Sequence, residues 1–140
     1  THTGQELDAC YYAQGRYQPG ALKKINYIFR DHRTDEIKPI HKDLLNLLHS
    51  ISVTLEGQIR IHIVSGYRSP ETNAELRKKS KDVVKNSLHV KGKAVDIRVP
   101  DYRTKKLRNF CMHLNAGGVG YYPRSDFVHV DIGPVRHWRA

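Results

Sequence analysis

Two histidines and an aspartate stand in this chain where they can share one ion. Ser87-Leu88-His89-Val90-Lys91-Gly92-Lys93-Ala94-Val95-Asp96 is answered 33 positions after Asp96 by His129, within Phe127-Val128-His129-Val130-Asp131. Two neutral imidazoles and one carboxylate, with a fourth position left to water, are a ligand set of catalytic rather than structural zinc. A cation held this way keeps net positive charge. It lowers the pKa of water from 15.7 toward ~7, which makes a nucleophile at neutral pH. His89, Asp96 and His129 are therefore the candidate metal ligands, and Zn2+ is the default ion for imidazole and carboxylate donors.

The segments around these residues must bring them together. Ala94 to Arg98 alternates as a strand, with Val95 and Ile97 on one face and Asp96 on the other. A carboxylate inside an apolar strand is costly to bury unless it is paired or bound to metal. His129 alternates in the same way with Val128 and Val130. Taken singly, a strand histidine is more often a satisfied or exposed residue than a ligand. The weight comes from three such residues in segments able to lie side by side. The step of seven from His89 to Asp96 does not fit one helix, where ligands stand three or four apart. It fits a loop running into a strand, with Gly92 letting the chain fold back.

The remaining elements read as α+β in a single domain. A short hairpin is expected around Gly15. A helix opens at Pro19-Gly20, with Leu22, Ile25, Ile28 and Phe29 at a 3.6 period. Asp31 to Pro39 is a polar loop. A second helix over 41–51 turns Leu44, Leu45, Leu47, Leu48 and Ile51 inward, and Gly57 ends that unit. Ile59 to Val64 is β-branched and alternating, hence a strand. Ser69 caps a helix with Pro70 at its first position, running to Lys79. A helix over Thr104–Leu114 closes at Gly117-Gly118. Val119–Tyr122 and Phe127–Ile132 form an antiparallel hairpin across Pro123-Arg124-Ser125-Asp126. Helices first and strands later give N-terminal helices packed on a small, mostly antiparallel sheet that carries the zinc site.

Composition narrows the class. The 140 residues carry 24 basic and 14 acidic side chains, a net charge of +10. Such a surface suits polyanions, including nucleic acid, anionic lipid and bacterial wall polymer. The basic residues are spread along the chain, and the runs Arg77-Lys78-Lys79 and Lys105-Lys106 read equally as solvated helix faces. No apolar run approaches the ~20 residues of a membrane span. The chain opens at Thr1 without a leader, as expected of a trimmed domain or of one whose targeting segment is removed. Cys10 and Cys111 make no disulfide framework. Cys111 lies on the stripe Leu107, Phe110, Cys111, Leu114 and reads as a buried thiol, with a single bridge to Cys10 as the alternative in an exported protein.

The pattern Ser87-x-His89-x-x-Gly92-x-Ala94-x-Asp96 resembles the signature of the zinc D-alanyl-D-alanine peptidases and related murein endopeptidases. These share a fold with lysostaphin-type peptidases and the Hedgehog signalling domain. Ser65-Gly66-Tyr67-Arg68-Ser69-Pro70 and Gly118-Val119-Gly120-Tyr121-Tyr122-Pro123 extend the likeness over nearly the whole chain, toward the murein-endopeptidase subgroup. The resemblance implies zinc on His89, Asp96 and His129. It implies a general base at Asp126, three positions before the last ligand, where the family more usually has the longer Glu. It implies Arg68 as the group that stabilises the oxyanion. It also implies an exported, periplasmic protein acting on peptidoglycan stem peptides, expected to be a monomer, with no nucleic-acid partner.

Several side chains keep two readings. Ser87 orients a ligand or contacts substrate, or it caps the loop. Asp131 shares the face of His129 by strand parity, so it supports that ligand from behind or meets a substrate amine. Asp126 serves as base or closes an Asx-turn. Arg68 serves the oxyanion or a surface anion. Tyr67, Tyr121 and Tyr122 line a peptide groove or fill the core. The leading function is a zinc-dependent murein endopeptidase that hydrolyses stem-peptide cross-links. Its rivals are a D,D-carboxypeptidase on the same polymer, a zinc-bearing wall-binding module without catalysis, and a nucleic-acid-binding domain resting on charge alone.

Overall fold

A computed structural model describes residues 1–56 and 59–140. Gly57, the expected end of the first helical unit, lies outside the described residues. A hairpin of β1 (Tyr12–Ala13) and β2 (Arg16–Tyr17) precedes α1 (Pro19–Ile28) and α2 (Lys42–Thr54). Then come β3 (His62–Ser65), α3 (Pro70–Lys79), a 3-10 turn (Leu88–Lys91), β4 (Ala94–Arg98) and α4 (Thr104–Leu114). Strands β5 (Gly118–Tyr122), β6 (Phe127–Asp131) and β7 (Arg136–Arg139) complete the chain. The fold is α+β, as the order of elements implied.

Five strands form one sheet in the order β3-β4-β6-β5-β7. All neighbours are antiparallel except β5 and β7, which run parallel. Period-2 alternation gives the sheet two unlike faces. Val95, Ile97, Val128, Val130 and Val119 point into the core, where Leu44 and Ile51 of α2 and Leu107 and Cys111 of α4 meet them. Asp96 and His129 are direct partners in the register and look the other way. Gly120 and Trp138 extend the same row across β5 and β7.

Sequence expectations and structure differ in four places. The helix expected to close at Gly117-Gly118 ends at Leu114, with Asn115 turning the chain in the left-handed region and Gly118 opening β5. The third strand begins at His62 rather than Ile59. The second helix runs to Thr54. Strand β7 was not foreseen, because Val135-Arg136-His137-Trp138 has no apolar alternation: it is an edge strand, exposed except at Trp138.

Candidate metal centre

His89 reaches the sheet from the 3-10 turn above it. Ser87 caps that turn, its hydroxyl accepting the His89 N–H at 3.3 Å. Gly92 ends it at φ 66° in the left-handed region, which glycine adopts without a steric penalty. A Cβ there would also stand 2.7 Å from the Pro39 carbonyl oxygen. The ring of His89 is then fixed by its own Nδ1–H, donated to the Gly66 carbonyl at 2.8 Å.

Asp96 and His129 come from the centres of β4 and β6. Asp131, two residues along the same face, takes the Nε2–H of His129 at 2.8 Å. The Asp131 carboxylate is fully buried. It also accepts the amides of Gly118 and Gly133 at 3.0 and 2.9 Å, and Arg136 through Nη1 and Nη2 at 3.0 and 2.8 Å. These contacts hold it below the usual carboxylate range despite burial, which alone would raise it.

With both outer ring nitrogens committed as donors, three atoms face one another. His89 Nε2 and His129 Nδ1 are 3.2 Å apart. Asp96 Oδ1 is 3.3 Å from the first and 2.9 Å from the second. All three are then lone-pair acceptors, an arrangement that repels itself unless a cation or added protons sit among them. Donors held about 2.0–2.1 Å from a tetrahedral ion stand roughly 3.3–3.4 Å from each other, close to the spacing seen. All three residues are buried, and the donor set therefore fits a divalent metal.

Electrostatics treat the two histidines differently. Burial lowers the pKa of His89, which favours the neutral imidazole a metal needs. Burial also works against a charged His129, but its hydrogen bonds to Asp131 and Asp96 prevail and raise it to about 8. Burial would raise Asp96, yet the two histidines pull it below the carboxylate range. Without the ion, protons on the imidazoles would take up part of the charge that a metal supplies.

Arg68 stands at the rim, with Nη2 3.9 Å from Asp96 Oδ2. Its Nη1 donates to Asn73 Oδ1 at 3.3 Å, while Nε is buried and has no partner among the described residues. Asn73 is held by donating to the Val84 and Lys85 carbonyls. The segment is anchored from below: Tyr67 N–H donates to Phe29 O at 2.7 Å, and Arg68 N–H to His89 O at 3.3 Å. Asp31 accepts the Ser69 N–H at 2.8 Å.

The structure thus gathers His89, Asp96 and His129, with Ser87 and Asp131 behind them and Arg68 beside them. It does not bring Asp126 to that group. Asp126 sits in the hairpin turn at φ 53°, exposed. Its carboxylate accepts the Thr104 hydroxyl at 2.9 Å and lies 4.0 Å from Arg98. Arg98 also donates to the carbonyls of Asp126 and Ser125. Tyr67 packs in the core, with the Lys38 ammonium 5.9 Å from its ring. Both cysteines are free, Cys10 exposed and Cys111 buried, so the thiol reading of Cys111 holds and the bridge does not form.

Four supporting residues were not legible in the sequence: Asp31, Asn73, Arg136 and Trp138. Each acts through contacts 5 to 38 positions away, and no local pattern around it marks that role.

Comparison with known proteins gives the same answer from a different direction. The family model described as peptidoglycan L,D-endopeptidase MepK matches residues 1–138. The chain is 42% identical over 137 residues to the peptidoglycan L,D-endopeptidase MepK of Escherichia coli K12, covering 98% of this chain and 75% of that protein. It is 40% identical over 140 residues to a probable peptidoglycan L,D-endopeptidase MepK of Haemophilus influenzae, covering 99% and 75%. With one family model spanning nearly its whole length and relatives at this identity, the chain belongs to the MepK family of peptidoglycan-cleaving metallopeptidases.

Proposed function

We propose that this protein is a zinc-dependent peptidoglycan endopeptidase that hydrolyses L,D amide bonds of stem-peptide cross-links. The observation that carries the reading is the buried His89–Asp96–His129 group, whose three facing atoms are all left as acceptors by the hydrogen bonds to Gly66 and Asp131. The L,D preference comes from the names of the relatives.

His89, Asp96 and His129 would hold the ion. A divalent cation bound there supplies Lewis acidity, polarising a carbonyl and acidifying water. The rest is done by side chains. Ser87 and the Gly66 carbonyl orient His89, and Asp131 orients His129. Arg68 keeps a charged guanidinium beside the group, held by Asn73. The net charge of +10 favours approach to a polymer bearing stem-peptide carboxylates. We place the enzyme outside the cytoplasm, in the periplasm, where this substrate lies, and as a monomer. No helix described is long and apolar enough to cross a membrane.

Purified sacculi test the reading. Wild type is expected to release cross-linked muropeptides as uncross-linked ones, and chelator treatment and His129→Ala each to stop it. Products identical in all three samples would remove the metal from the mechanism. Release of terminal D-Ala alone would make the protein a carboxypeptidase. Tight binding to sacculi with no product would make it a wall-binding module.

A further inference from the structure

Beside the metal group, β5 and β7 build a small aromatic wall. Gly120 lies opposite His129 in the register, and Trp138 lies alongside Gly120 from β7. A Cβ at Gly120 would stand 2.5 Å from the indole, so the bare backbone there is what admits Trp138 next to the ligand. The indole ring tilts against His129 with centroids 5.1 Å apart, and Arg136 covers it at 5.0 Å. Its Nε1–H donates to the Tyr122 hydroxyl oxygen at 3.0 Å. On its other side the Tyr122 ring stacks on Phe127, with centroids 4.5 Å apart and planes 17° apart.

Tyr122 is thus gripped twice, and the grip has a direction. An indole N–H can only donate, so the phenol oxygen accepts and its own hydrogen is left for another acceptor. Among the described residues that hydroxyl makes no second hydrogen bond. The indole that packs on His129 is the same one that holds the phenol, and burial keeps the phenol protonated. Sheet order puts Tyr122 on β5 and Arg68 beyond β3, so they flank β4 and β6 from opposite sides. The Arg68 guanidinium, with Nη2 3.9 Å from Asp96, and the Tyr122 O–H, with its hydrogen free, thus stand on opposite borders of one metal group.

We propose that the Tyr122 hydroxyl is a catalytic hydrogen-bond donor, held by Trp138 and Phe127 to meet the scissile carbonyl oxygen as it turns into an oxyanion, opposite Arg68. This rests on the peptidase reading above. No proton leaves Tyr122; it strengthens one hydrogen bond as charge develops on the substrate oxygen. Donors of this kind contribute in the transition state more than in the ground state.

The test compares wild type, Tyr122→Phe and Trp138→Phe on a soluble cross-linked muropeptide, with metal content and melting temperature measured in parallel. Tyr122→Phe keeps the ring stacked on Phe127. It should lose about 10²–10³-fold in kcat, the scale of one oxyanion donor, with KM, bound metal and melting temperature close to wild type. Its affinity for a phosphinate analogue of the cleaved amide should fall by the same factor as kcat/KM. Trp138→Phe leaves the hydroxyl free to rotate and should lose less, about tenfold, as outer partners of a site commonly do. An unchanged kcat in Tyr122→Phe, a loss confined to KM, or an unchanged phosphinate affinity overturns the donor role while leaving the peptidase reading intact. A wild type that cleaves nothing overturns the peptidase reading, and the donor role with it.

Discussion

Replacing Asp131 with Asn should disarm the metal centre without altering any ligand. Oδ1 of Asp131 accepts two backbone amides, of Gly118 and Gly133, and Arg136 Nη1. Oδ2 accepts His129 Nε2–H and Arg136 Nη2. Asparagine has the same shape but one acceptor and one donor. Its amide oxygen must take the Oδ1 position, since two fixed N–H groups point there. Its NH2 then faces the His129 N–H, donor against donor. The imidazole escapes by moving its proton to Nδ1, the atom that faces Asp96 and His89. One of the three metal donors is lost through a tautomer change. Outer-partner substitutions of this sort cost about 10–100-fold in metal affinity, roughly 1.4–2.7 kcal/mol, and the upper end is expected because the tautomer reverses. The metal-free protein also loses a buried charged hydrogen-bond acceptor. Arg136 is 44% exposed and can hydrate, which holds that loss to about 2 kcal/mol, or roughly 6–8 °C in melting temperature. Zinc affinity measured by chelator competition at fixed pH, beside thermal melts of the metal-free forms, reads both effects. Equal zinc affinity in a folded Asp131→Asn protein would refute the tautomer argument.

Asp126→Ala should leave turnover within about threefold, since its carboxylate serves Thr104 and Arg98 at the surface; a loss of about 10²–10⁴-fold, the scale of a missing general base, would return Asp126 to the chemistry. Burial would raise the Asp31 carboxyl, but hydrogen bonds from Thr72 and from the Ser69 and Arg33 amides overcome it and lower the pKa from 3.8 to about 2. That stabilisation is complete above pH 3.8 and lost as pH falls toward 2, about 2 kcal/mol in all. Urea unfolding of wild type and Asp31→Asn at pH 6 and pH 3 should therefore show the gap between them shrinking in acid, and a constant gap would exclude the effect. A disulfide reagent at pH 8 should titrate one thiol per folded chain, Cys10. Cys111 is buried, with its pKa pushed up to about 12, and should react only after denaturation; two thiols reacting in the folded state would contradict that packing.

The candidate ligands were legible because strand parity is a local code. Asp96 between Val95 and Ile97, and His129 between Val128 and Val130, each announce a polar residue on the face away from the core. The helices were legible from the spacing of Leu44, Leu48 and Ile51 and from the Ser69-Pro70 cap. What joins the segments was not. Asp31 in a polar loop gives no sign that it will hold the Ser69 amide 38 positions away. Nor does Asp126, placed at the expected step before His129, show by position that a left-handed turn carries its carboxylate toward Thr104. Sequence spacing measures distance along the chain, and turn geometry decides where the side chain ends up. Strand β7 escaped for another reason: as an edge it needs no apolar alternation.

The bond between Arg136 and Asp131 also ties β7 to the metal group. The three candidate ligands come from the 3-10 turn, β4 and β6, whereas Arg136, which grips the residue that sets the His129 tautomer, comes from β7. Without β7 the candidate ligands and the Asp131–His129 hydrogen bond would remain, but Asp131 would lose its Arg136 contacts and His129 the Trp138 wall beside it. On the proposed metal reading, β7 thus reinforces the site from behind, and a variant lacking Arg136–Arg139 should keep all three donors yet bind zinc more weakly.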